Sequence, residues 1–202
     1  RHLTYIVAFG QYSIEFLYDA ANASGSPLAR TNTVAAKVGC AARDTVCLLD
    51  KRLLWVGQSQ IGGPSVWMLD GLNPITVSSP FIDKILMAEG SSVSSIIGNV
   101  IHHKGRDLYV LRLTNRTLVY DIDLKIWSDW SSNSSSTHLT LPYLYFTELS
   151  NNTVLALHGT DGKIYTLAES TNTDTAGAPI AEIITIPLDF GTRKQKRIFK
   201  IE

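Results

Sequence analysis

Little in this chain of 202 residues is suited to cross-linking it, charging it or anchoring it. There are two cysteines, Cys40 and Cys47. A disulfide framework needs more, and Cys47, inside the run Thr-Val-Cys-Leu-Leu, reads as a small buried apolar residue. Two free thiols in a reducing compartment are the expectation. Charge of one sign is missing too: 18 basic residues balance 18 acidic ones, for a formal net charge of zero. That removes any global pull toward nucleic acid or an anionic membrane, though not a local patch. No apolar run is long enough to span a bilayer, so no membrane partner is expected. No leader is visible, but the chain starts at Arg1 close to a strand and stops in mid-pattern, so it reads as a portion of something longer. Four Asn-X-Ser/Thr sequences, at Asn22, Asn115, Asn133 and Asn151, arise easily in a chain rich in these residues and are discounted.

What is present is strand. The run 106–130, RDLYVLRLTNRTLVYDIDLKIWSDW, contains two strands and the start of a third. Leu108, Val110 and Leu111 lie in the first, and Leu118, Val119, Tyr120 and Ile122 in the second. Ile126 and Trp127 open the third. Turn signals every eight to twelve residues imply antiparallel all-β structure. The end of the second strand, Tyr120-Asp121, has counterparts at Leu69-Asp70 and Tyr18-Asp19, spaced by about fifty residues, and an early one at Tyr165. The strands ahead of them repeat as well, at 4–9, 53–56, 108–111 and 154–157. One such unit cannot hide its own apolar faces. A radial array of small antiparallel sheets solves that problem and leaves only short edges. The predicted fold is therefore an all-β, propeller-like array of about four meander blades. They fall roughly at 1–30, 31–80, 90–135 and 138–170, with 180–202 opening a further blade or strand segment.

Along the chain, strands are expected at 3–9 and 12–18, around a Gly10-Gln11 turn, with Ile14, Phe16 and Tyr18 on one face and Glu15 on the other. Further strands are expected at 44–50, 52–57 and 65–69, and at 72–78 after a turn at Asp70-Gly71. Gly62-Gly63 is a loop and not a phosphate cradle, because no Lys-Ser/Thr follows and no helix opens after it. Ser79 can cap a short helix with Pro80 in its first turn and Ile82, Ile85 and Leu86 on one face. That helix is read as a blade linker. His102 and His103 are neighbours on a strand and face opposite ways, so they suit one exposed and one packed side chain better than a metal site. Ser131–Ser136 is expected to be a polar loop. Strands at 141–149, 153–158 and 163–168 follow, with turns at Asn151-Asn152 and Asp161-Gly162. The basic cluster 193–197 reads as a solvated strand end, lacking the aromatics that stack on single-stranded nucleic acid.

Nucleophile elbows, His-Glu-X-X-His helices and calcium-loop spacings are absent. A propeller glycosidase would need two or three carboxylates converging at the axis. Glu15, Asp44, Asp107 and Glu148 are the candidates, and nothing in the sequence draws them together. A sugar- or protein-binding propeller would need an exposed aromatic cluster containing Trp127, Trp130 or Tyr143. No catalytic, cofactor or metal residue is assigned.

Two resemblances follow from these motifs. The run 118–127, LVYDIDLKIW, looks like a kelch hairpin, but the glycine doublet of that family does not precede it. More of the chain is covered by a second pattern: Phe9-Gly10, Ser13-Ile-Glu-Phe16, Val38-Gly-Cys-Ala-Ala42, Leu53-Leu-Trp-Val-Gly57, Val66-Trp-Met-Leu-Asp-Gly71 and 119–127. The short helix after Val77-Ser78 and the late Asp189-Phe-Gly-Thr192 fit it too. Their order resembles the packaged-DNA stabilisation proteins of short-tailed bacteriophages. The resemblance implies a non-enzymatic virion protein, made in the host cytoplasm. Such a protein forms a homo-oligomeric ring below the portal-adaptor ring, closes the channel and receives the tail needle or other tail proteins. It meets packaged DNA without sequence specificity.

Overall fold

The computed structural model describes residues 2–31, 37–134, 137–149 and 153–167. Four antiparallel sheets follow one another along the chain. The first contains β1 (Ile6–Phe9), β2 (Ile14–Asp19) and β3 (Leu28–Arg30). The second runs β4 (Gly39–Leu49), β5 (Arg52–Gln58), β6 (Ser65–Asp70) and β7 (Asn73–Thr76). Helix α1 (Pro80–Ala88) and a 3-10 turn (Gly90–Ser95) lead to the third, β8 (Ile97–His103), β9 (Arg106–Arg112), β10 (Thr117–Asp121) and β11 (Ile126–Trp130). A small hairpin, β12 (Ser132–Ser134) with β13 (Thr137–Leu139), precedes the fourth sheet, β14 (Tyr143–Glu148), β15 (Val154–His158) and β16 (Ile164–Thr166). Each sheet is a plain meander whose strands pair in sequence order. β1, β5, β9 and β15 are equivalent, and so are β2, β6, β10 and β16, which are the repeated strands legible in the sequence.

The sheets stack face against face, and their side-chain parity shows how. In the second sheet Leu53, Trp55 and Leu69 point one way, into a cluster with Ile14 and Phe16 of the first sheet. Leu54, Val56, Val66 and Met68 point the other way, against Tyr109, Leu111, Leu118 and Tyr120 of the third. The opposite face of the third sheet, with Leu108, Val110 and Val119, meets Val154 and Phe146 of the fourth. Burial on both faces explains why β5, β9 and β10 read as nearly unbroken apolar runs instead of alternating ones. Truncating a fully buried side chain such as Leu54 therefore costs about 2–5 kcal/mol. At the fourth sheet's outward face, Tyr145, Leu157 and Ile164 form a row across three strands and are exposed among the described residues.

The linker helix forms for local reasons. Ser79 accepts a hydrogen bond from the Ile82 backbone N–H, and Pro80 begins the helix. Ile82 and Leu86 are buried between the second and third sheets.

Some expectations need correction. The first strand begins at Ile6, because Leu3 has φ 51 and turns the chain between His2 and Tyr5. Tyr18 continues the parity of Ile14 and Phe16 but is exposed and does not join their cluster. The serine-rich stretch is not all loop: Ser132–Ser134 pairs with Thr137–Leu139, a local hairpin that composition did not announce. His102 and His103 are both half-exposed and do not split into one packed and one free. The expected Asn151-Asn152 turn, the basic cluster 193–197 and the strand segment 180–202 lie outside the described residues.

Candidate functional site

The meander topology sorts the connections onto two rims. One rim carries the turns β4–β5, β6–β7, β8–β9 and β10–β11. The other carries β1–β2, β5–β6 and β9–β10 together with the linkers between sheets. Between the rims, β4, β8 and β14 are the inner strands and lie side by side.

Polar groups fasten those inner strands. Asn99 on β8 spans the seam to β14: its Nδ2 donates to the Leu144 carbonyl at 3.0 Å, and its Oδ1 accepts from the Phe146 N–H at 3.2 Å. The side-chain amide thus imitates a strand partner. At the other seam the fully buried Tyr109 donates its hydroxyl to the Thr45 carbonyl at 2.6 Å. Burial pushes the Tyr109 phenol well above its usual range, so it stays a donor. Thr45 is itself fixed. Its Oγ1 donates to the Ala42 carbonyl at 2.5 Å and accepts from the Val56 N–H at 2.9 Å. Further out, the Trp127 indole N–H donates to the Val77 carbonyl at 2.9 Å while its ring packs on Tyr120. Between the first two sheets His2 Nε2 bonds the Gly71 carbonyl at 2.6 Å.

Thr45 holds a bulge. The pairing of β4 with β5 jumps from Ala42↔Val56 to Cys47↔Leu54, so the segment between them has extra residues. Arg43 and Asp44 are thereby pushed outward into an axial cleft of about 950 Å³, which Phe9, Gln11 and Cys40 also line. They pair with each other at 3.3 Å. A second cleft, of about 860 Å³, opens on the other rim among Asp50, Lys51, Arg52, Asp70, Asp107 and Asp123. Arg52 meets Asp123 there at 3.8 Å. Beside it His102 Nδ1 lies 2.7 Å from Asp107 Oδ1. That hydrogen bond raises the His102 pKa above its usual value, and the charges of Asp107, Glu148 and Asp123 push the same way.

The sequence candidates are thus dispersed. Glu15 is paired with Arg30 at 3.1 Å, Asp44 lines the axial cleft, Asp107 lines the other cleft and Glu148 is exposed near His102. Only Asp107 and Glu148 share an environment. Trp127 and Trp130 pack into different seams. Tyr143 belongs to a half-buried ring cluster with His158 and Tyr165, whose hydroxyl donates to Asp161 at 2.7 Å. Cys40 and Cys47 are free and half-buried, and burial pushes the Cys47 thiol up to about 11. Among the described residues no group of three or more His, Cys, Asp or Glu is placed to hold a metal ion, and no helix is long and apolar enough to cross a membrane. Ile61 on the β5–β6 loop and Phe81 and Met87 on α1 are each exposed.

Sequence reasoning missed the seam clamps. The available signals were a lone Asn in the Ile97–Ile101 run and a Thr ahead of Val46-Cys47, each a polar residue in a strand otherwise suited to burial.

No curated protein sequence matches the chain. Among solved structures, a puromycin-hydrolysing peptidase of Mycobacterium tuberculosis is similar at 13% identity with a TM-score of 0.29. The match covers 90% of this chain and 32% of that one, and a likeness this loose carries no argument. A family model described as bacteriophage P22 Gp10, β-propeller, matches residues 2–172. With its successive meanders packed face to face and matched over most of its length, the chain belongs to this phage stabilisation family.

Proposed function

We propose that the protein is a non-catalytic structural component of the virion. In this reading a homo-oligomeric ring of it closes the portal channel after packaging, retains the DNA, and joins the portal-adaptor ring to the tail needle or other tail proteins. The observation that carries the reading is the family match over residues 2–172. The geometry suits it. Successive sheets, the second and third buried on both faces, are tied by Asn99, Thr45 and Tyr109 into a stiff body with polar loops on two rims. One rim can meet the adaptor while the other meets the tail, and a ring multiplies weak contacts into a firm seal. Zero net charge suits a channel lining that does not grip DNA. The carboxylates that a glycosidase would need are spread over separate clefts and pairs, which favours the non-catalytic reading. Synthesis in the host cytoplasm, followed by assembly onto filled heads, belongs to the same proposal.

The test is DNA retention. Particles assembled without the protein should package DNA and then lose it, and adding the purified protein to filled heads should restore retention. Particles that keep their DNA without it would overturn the reading.

A further inference from the structure

The turn between β15 and β16 lies on the same rim as the turns β1–β2, β5–β6 and β9–β10, and two sets of partners compete there for one ring nitrogen. The backbone N–H groups of Thr160 and Asp161 both donate to His158 Nδ1, at 3.3 and 3.2 Å. The same nitrogen lies 2.9 Å from Asp161 Oδ1. An imidazole nitrogen carries either a lone pair or a proton. With a lone pair, Nδ1 accepts the two N–H groups but confronts the carboxylate oxygen lone pair to lone pair. With a proton, it bonds the carboxylate but sets its own N–H against the other two. The arrangement satisfies one set of partners at a time.

The surroundings confine that choice to the tip of the turn. Its base is pinned: the His158 N–H donates to the Lys163 carbonyl at 2.9 Å, and the Gly159 N–H to the Pro142 carbonyl at 2.8 Å. The rings of Tyr143 and Tyr165 flank the imidazole, with centroids 5.8 and 5.6 Å away. Asp161 is anchored as well. Its Oδ1 accepts the Lys163 N–H at 2.9 Å and its Oδ2 accepts the Tyr165 hydroxyl at 2.7 Å. The Lys163 N–H, with help from the Tyr165 hydroxyl and the charges of His158 and Lys163, holds the Asp161 carboxyl below its usual range. The bond to Asp161 pushes the Tyr165 phenol up. Among the described residues, the titratable groups against His158 are Asp161 in the turn, Tyr143 on β14 and Tyr165 on β16, with the Lys163 cation beside Asp161. Across the neutral range only the imidazole of this group changes its charge.

We propose that the β15–β16 turn is a proton-operated switch on this rim, in which His158 Nδ1 selects between two hydrogen-bond sets. In the neutral state the ring proton sits on Nε2. Nδ1 then accepts from Thr160 and Asp161, and the tip of the turn is tied down by its backbone. In acid Nδ1 takes a proton from solvent and donates it to Asp161 Oδ1, forming an ion pair. The Thr160 and Asp161 N–H groups are released to solvent. The rim thus presents a closed turn in the neutral state and two free backbone donors in the protonated one.

Solvent-exchange NMR of the backbone amides tests this at about pH 5 and about pH 8, which bracket the ordinary titration of an imidazole. After correction for the intrinsic pH dependence of exchange, Thr160 and Asp161 are protected roughly tenfold more at the higher pH. Gly159 and Lys163, whose bonds exist in both states, keep their protection and report that the turn stays folded. His158→Phe keeps a ring between Tyr143 and Tyr165 but removes the nitrogen, so Thr160 and Asp161 are unprotected at both pH values. Equal protection of Thr160 and Asp161 at the two pH values in the unaltered chain would overturn the proposal, whatever the variant does. So would a pH-dependent protection that survives in His158→Phe.

Discussion

Replacing Tyr109 with phenylalanine isolates one clamp between the second and third sheets. The ring is fully buried and its packing is kept; only the hydroxyl that donates to the Thr45 carbonyl at 2.6 Å is removed. The carbonyl it leaves behind sits in a bulge whose other polar groups are already engaged through Thr45 Oγ1. Gly98 passes so close to Thr45 that a methyl group there would lie 2.8 Å from its Cα. The bulge thus has little freedom to turn the carbonyl elsewhere. A buried acceptor losing its donor costs about 1–3 kcal/mol. For a protein of this size each kcal/mol lowers the melting temperature by roughly 2–4 °C, so a central loss of about 2 kcal/mol corresponds to a fall of roughly 4–8 °C. Urea unfolding is the assay, and the midpoint should fall with an unchanged slope. Tyr18→Phe, at an exposed position, is the control and should stay within about 0.5 kcal/mol. A Tyr109→Phe protein as stable as the control would refute the idea that this hydroxyl holds the seam.

Asn99→Leu removes both bonds to β14 and should cost about 2–4 kcal/mol, with amide exchange speeding first in β14 and β15; unchanged exchange there contradicts the clamp. Gly39→Ala places a methyl against backbone atoms of Gly10 and Gln11, where nothing flexible can yield, so a loss of about 3 kcal/mol or failure to fold is expected, and a neutral result would mean the two sheets are further apart. Trp127→Phe should cost about 1 kcal/mol through the lost bond to Val77, read by thermal melting. His102 titrates above its usual value because Asp107 holds its charged form. Its contribution is therefore complete below about pH 6.5 and fades as pH rises through the higher folded value. In Asp107→Asn the His102 NMR titration should move down, and the stability gap to wild type should narrow at alkaline pH; an unmoved titration would contradict the pairing.

Much of the fold was legible because the repeat is written in residues that obey local rules. The apolar strands Leu53–Val56 and Leu108–Leu111 and the Tyr-Asp ends recur because the second and third sheets bury both faces and the first and fourth bury one against them. Ser79-Pro80 announced α1 because capping is a local requirement. What escaped depends on neighbours distant in sequence. Thr45 looks like any strand threonine until Tyr109 arrives from the next sheet. Asn99 looks like a flaw in a strand until β14 is beside it. Ser132–Ser134 becomes a strand only because Thr137–Leu139 folds back onto it, against the weak propensity of serine. The scattered carboxylates could not be sorted either, since Asp44 reaches the axial cleft through a bulge that no periodicity signals.

The central claim is that this stack of sheets is a building block of the phage particle at the vertex where DNA enters. Electron microscopy of complete particles, compared with particles made without the protein, tests it most directly. The account predicts a ring of density at the portal vertex that accommodates successive small sheets packed face to face, present only when the protein is made. Density for the protein elsewhere on the particle, or an unchanged vertex in its absence, would contradict it.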